Sequence, residues 1–110
     1  MEPQVKVYLL DEEGARFFGE GPCRLLRLLE QTGSLRSAAM EMDMAYTKAL
    51  KILRRAEETL GYPLTLRNAG GKHGGGSVLT EEAKVLLERY ERYRDRCREE
   101  SRAIYQEIFG

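Results

Sequence analysis

Lys48, Lys51 and Arg55 stand three and four residues apart near the middle of the chain, a spacing that places side chains on one face of an α-helix. Thr47 and Arg54 lie close to them, outside the apolar stripe of the same segment. Ammonium, guanidinium and hydroxyl groups on one exposed face suit phosphate oxygens and the hydrogen-bonding edges of bases. Taken alone, the same face is equally compatible with an ordinary solvated helix. A second group follows in Gly70-Gly71-Lys72-His73-Gly74-Gly75-Gly76. Glycines let a backbone approach another surface closely, and Lys72 and His73 would then offer donors to a phosphate or a minor groove. A nucleotide-binding loop would read GxxxxGK[ST] and carry its lysine into a helix. Here Lys72 precedes the glycines and the strand-forming Val78-Leu79 follows, which excludes that loop.

Other chemistries find little support. His73 is the one histidine, so no histidine pair or multi-histidine metal site can form. The two cysteines, Cys23 and Cys97, are far apart and make neither a disulfide framework nor a CxxC metal pair; they read as reduced thiols. No nucleophile–base constellation is visible, so the expectation is a protein that is not an enzyme, with no metal, no cofactor and no evident small-molecule effector. The net charge is zero, yet residues 24–77 carry nine basic and five acidic groups, and that local excess is what attracts phosphate. No apolar run is long enough to span a membrane, and Met1-Glu2-Pro3-Gln4 is too polar for a signal peptide. A cytoplasmic location is expected.

The elements that must position these residues are readable in order. With 110 residues and 42% hydrophobic content, one domain over 1–110 is expected. Val5, Val7 and Leu9 alternate within 4–10, Asp11 to Gly14 make a turn, and Ala15 to Phe18 can return, giving an N-terminal hairpin over 1–18. Gly21-Pro22 opens a helix that Gly33 ends. Ser34 caps a second, running to Met42 with Leu35, Ala38 and Ala39 inward. A third runs from Ala45 to Leu60 with Tyr46, Ala49, Leu50, Leu53, Ala56 and Leu60 facing inward. The last two make a helix-turn-helix, with Ala38, Ala39 and Ala49 small enough for the crossing. Leu64 to Arg67 and Val78-Leu79 can pair across the glycine loop as a wing, so the helix-turn-helix and wing occupy 20–80. The fold class is mainly α with small β hairpins, a winged helix-turn-helix.

Thr80-Glu81-Glu82 then starts a helix over 80–109, roughly 45 Å long at 1.5 Å per residue. Leu86, Tyr90, Tyr93, Cys97, Ile104 and Ile108 fall near a coiled-coil spacing, interrupted by Glu100. So narrow a seam on so long a helix implies a second copy, and these six residues are the expected homodimer interface.

Ser34 to Leu60, followed by Gly61-Tyr62-Pro63-Leu64 and then by the glycine run into Ser77-Val78-Leu79-Thr80-Glu81-Glu82, resembles the N-terminal DNA-binding domain of the molybdate-responsive, ModE-type transcriptional regulators, relatives of the LysR-type winged helices. The resemblance covers about residues 16–95, and the glycine wing followed by Leu79-Thr80 is its most specific part; Tyr46-x-x-Ala49 comes next. Asp43 stands where the family often has Gly, Ala45 where a capping Ser is usual, and Leu50 where Trp is frequent. The resemblance implies double-stranded DNA binding by a dimer. The family's separate molybdate-binding region has no counterpart before Gly110, so a regulator without that region is expected. The DNA-contacting candidates are Ser34, Arg36, Ser37, Tyr46, Thr47, Lys48, Lys51, Arg55, Arg67, Lys72 and His73. Two alternatives stand beside sequence-specific transcriptional regulation: the same fold as a protein-interaction adaptor, or a regulator with an unrecognised oxyanion site.

Overall fold

Asp11 shapes the first turn. In a computed structural model that describes residues 1–68 and 76–110, its Oδ1 accepts from the amides of Glu13 and Ala15, each at 2.9 Å. Gly14 takes the left-handed backbone there, with φ of 83°. The strands it joins are β1 (Leu9–Leu10) and β2 (Arg16–Phe18), antiparallel, with Leu9 opposite Phe18. The strand expected from residue 4 is thus shorter than its alternation suggests, because the preceding residues pack elsewhere.

Helix α1 (Glu20–Thr32) begins at Gly19, holds Pro22 in its first turn, and stops at Gly33 in the left-handed region, φ 74°. Helix α2 (Leu35–Glu41) starts where the Ser34 hydroxyl accepts the Ser37 amide at 3.1 Å. Asp43 then turns the chain with φ of 52°, a conformation that a short polar side chain tolerates. Helix α3 (Tyr46–Leu60) follows; its cap residue, Ala45, offers no side-chain acceptor, and Gly61 ends it at φ 82°. Strands β3 (Thr65–Asn68) and β4 (Gly76–Leu79) form the antiparallel wing, with Thr65 opposite Leu79 and Arg67 opposite Ser77. The Ser77 amide donates to the Gly33 carbonyl at 2.8 Å, tying the wing to the corner between α1 and α2. Helix α4 (Glu81–Phe109) opens on Thr80, whose hydroxyl accepts the Ala83 amide at 3.0 Å and donates to the Pro63 carbonyl at 2.9 Å. This is a winged helix with a long C-terminal helix.

The core forms where the apolar stripes of α1, α2 and α3 meet. Leu25, Leu26 and Leu29 of α1 lie against Leu35, Ala38 and Ala39 of α2 and Ala49, Leu53 and Ala56 of α3, all buried. Leu64, Leu79, Ala83 and Leu87 close it beneath the wing. Tyr90 completes it: it is 2% exposed, its ring meets Phe18 edge-on at 5.2 Å, and its hydroxyl donates to the Val7 carbonyl at 2.8 Å. From there the N-terminal segment runs back along α4, since the Tyr105 hydroxyl donates to the Met1 carbonyl at 3.1 Å. Beyond Tyr90 the helix leaves the core, which accounts for the elongated outline of 57 × 29 × 24 Å. Among the described residues, no helix is long and apolar enough to cross a membrane.

Candidate nucleic-acid interface

The helix-turn-helix is built so that α3 keeps one face free. Its apolar stripe anchors it through Ala49, Leu53 and Ala56, with Leu50, Ile52 and Leu60 half-buried at the edges. Thr47, Lys48, Lys51, Arg54 and Arg55 are all exposed on the remaining surface. Arg54, absent from the candidate set, lies three residues beyond Lys51 and seven beyond Thr47, and that spacing was the signal for it.

Four of the expected residues converge at the other edge of α3. Ser34, Arg36, Tyr46 and Arg67 line one shallow cleft of about 320 Å³ together with Thr65 and Ser77. Ser34 is committed to capping α2, and Ser37 supplies the amide it caps. Tyr46 does not face inward as the helical period suggests. It is 37% exposed, with the Arg36 guanidinium 4.5 Å from its ring centroid. The ring sits at the first position of α3, where a stack across to α2 replaces core packing.

Arg55 is held differently. Its Nη2 pairs with Asp11 Oδ2 at 2.9 Å, so the β1–β2 turn draws its charge away from Lys48 and Lys51. The Ala15 and Glu13 amides, with that guanidinium, hold the Asp11 carboxyl below its ordinary value. Lys48, Lys51, Arg54 and Arg67 make no ion pair with any carboxylate among the described residues. Lys72 and His73 lie outside the described residues. No group of three or more metal-ligating side chains is found among those described.

The expected dimer seam divides in two. Tyr90 is not on it; it belongs to the core of its own chain. Leu86 and Cys97 are half-buried. Tyr93, Ile104 and Ile108 are open to solvent at 59%, 51% and 69% exposure, with Phe109 stacked on Tyr105 beside them.

No protein-family model matches the sequence. The chain is 38% identical over 77 residues to the transcriptional regulator ModE of Haemophilus influenzae, a match covering 70% of this chain and 30% of that protein. It is 34% identical over 82 residues to the molybdenum-pterin-binding protein MopB of Rhodobacter capsulatus, covering 74% and 30%. It is 30% identical over 81 residues to the molybdenum transport protein ModE of Azotobacter vinelandii, again covering 74% and 30%. The chain spans about 30% of the length of the curated relatives it matches. Over that shared stretch the chain is similar to the ModE-type regulators, consistent with an N-terminal domain of that type.

Proposed function

We propose that this chain binds double-stranded DNA with sequence preference, as a homodimer joined through α4, and acts in transcriptional regulation rather than catalysis. The observation that carries the reading is the exposed cationic face of α3, with Lys48, Lys51 and Arg54 free of carboxylate partners among the described residues, beside Thr47. An α-helix fits the major groove, where such groups reach base edges. Arg36 and Arg67 flank that face across the cleft and suit the adjacent phosphates. Ala45 leaves the first-turn amides of α3 without a side-chain cap, which suits a phosphate there as well. Two of the relatives carry names concerned with molybdenum and one is named a transcriptional regulator; the regulatory role is what the winged helix supports here.

The test is anisotropy of labelled duplexes, a selected target and a random one, titrated with protein at several salt concentrations. Binding should weaken with salt as counterions are released. Lys51→Ala should shrink the gap between target and random duplex by about 1–3 kcal/mol, one good base contact. Absence of salt-dependent duplex binding, or a gap untouched by Lys51→Ala and Arg54→Ala, would overturn the assignment.

A further inference from the structure

A groove of about 290 Å³ lies between the β1–β2 hairpin and α3. Its walls are apolar carbon: Tyr8, Phe17, Phe18, Pro22 and Ile52. Phe17 and Ile52 are only half-buried and Tyr8 is 43% exposed, so this carbon meets solvent. Three cations stand at the rim, Arg16, Lys51 and Arg55. Arg55 is neutralised by Asp11, which leaves Arg16 and Lys51 as the net positive pair. Arg16 is held in place, its guanidinium 4.6 Å from the Tyr8 ring centroid. The ring in turn lies on Gly19, where an added Cβ would come within 2.8 Å of Tyr8 Cδ1.

We propose that this groove binds a small organic anion, an apolar body of one or two rings carrying a carboxylate or sulfonate. An apolar floor gains from burying hydrocarbon, and the two rim cations, of which Arg16 is held over the Tyr8 ring, gain from a single anionic group placed between them. The volume lies just under the range of small-molecule pockets, which begins at about 300 Å³, and so suits only a small ligand. Nine residues line the groove, far fewer than the roughly 20–30 a side that a stable protein interface uses. A phosphodiester backbone supplies the charge but no apolar body for the floor. The position has a consequence on the reading above: Lys51 also stands on the face of α3 proposed to meet DNA, so a bound anion and a duplex compete for one ammonium.

The probe is 1-anilinonaphthalene-8-sulfonate, followed by its fluorescence, with N-phenyl-1-naphthylamine as the same aromatic body without the charge. DNA is not needed for either. The sulfonate should bind saturably at one site per chain, and the uncharged dye about tenfold more weakly, the loss of a charge-assisted contact. Arg16→Glu should weaken the sulfonate by about tenfold or more while Arg16→Lys largely restores it. A Tyr93→Lys, Ile104→Lys protein, altered on the exposed face of α4, should bind it as the parent does. Equal affinity for the two dyes, indifference to Arg16→Glu, or binding lost with the α4 changes instead would each overturn the proposal.

Discussion

Replacing Tyr90 with Phe removes one oxygen and nothing else, and the fold makes its consequence calculable. The Tyr90 hydroxyl is buried and donates to the Val7 carbonyl at 2.8 Å. The phenyl ring of Phe keeps the edge-on contact with Phe18, so apolar packing is unchanged to first order. What is lost is the partner of a buried acceptor, which costs about 1–3 kcal/mol. In urea at neutral pH the midpoint should fall by about 1 M with the slope unchanged. The pH dependence gives a second and independent reading. Burial, and after it the neighbouring Glu20 carboxylate, pushes the Tyr90 hydroxyl up from 10.0 to about 12. A phenol loses a proton to become charged, so a raised folded-state value means the unfolded chain ionises first. The stability this group contributes is therefore complete below pH of about 10 and lost as pH rises toward about 12, at most about 1.4 kcal/mol per pH unit. The Cys23 thiol, raised to about 11 mainly by burial, behaves the same way but is present in both proteins and cancels in their difference. The gap between parent and Tyr90→Phe should thus close as pH climbs through that window. A gap that stays constant with pH, or no destabilisation at neutral pH, would refute the buried hydrogen bond.

Further outcomes are expected. Asp11→Asn keeps an oxygen for the turn amides but removes the charge that holds Arg55; duplex binding should then gain salt dependence of about 0.9 in the logarithmic slope, one more phosphate contact. Stability should change by less than about 1 kcal/mol, because the pair is exposed, and an unchanged slope would show that Arg55 does not reach a phosphate. Ala45→Ser should supply the missing acceptor at the start of α3 and raise stability by about 1 kcal/mol, read from urea unfolding; no gain would mean the first turn is already satisfied. Tyr93→Lys with Ile104→Lys should convert a dimer to a monomer by sedimentation, and a parent protein that is monomeric at micromolar concentration would end the dimer proposal.

Local signals were legible because they are chemical and short-range. Ser34 and Thr80 each place a hydroxyl within reach of the amide three residues on, and both cap as their sequence context implies. Gly33 and Gly61 end their helices in the left-handed region for which glycine is suited. Asp43 takes the same region in place of a glycine. What escaped was set by partners distant in sequence. The 4–10 alternation points to a strand, but Val7 is buried where Tyr90, 83 residues away, bonds its carbonyl. The period of α3 turns Tyr46 inward, whereas Arg36 on another helix draws it out. The seam of α4 is continuous in sequence, and no periodicity says where a helix leaves the core of its own chain; here the last fully buried residue is Tyr90, while the N-terminal segment stays beside α4 as far as Tyr105.

Arg55 shows why charge counting along the sequence misleads in both directions. Spacing alone ranks it with Lys48 and Lys51, but Asp11, 44 residues earlier, already neutralises it. The same kind of assignment explains how a chain of zero net charge presents a basic face. Glu91 is drawn into a pair with Arg27, which holds its carboxyl below the ordinary value. Glu20 takes Arg94 and Arg98, and Glu57 accepts the Leu64 amide at 2.8 Å where α3 hands over to the wing. These acids fasten α1 to α4, the hairpin to α3, and α3 to β3. Each of these carboxylates is committed to a joint of the fold and not to Lys48, Lys51, Arg54 or Arg67, whose charge is left to act on whatever approaches that side. Asp11, Glu20, Glu57 and Glu91 thus hold the scaffold and leave those basic residues available, a division set by tertiary placement that an overall charge of zero conceals.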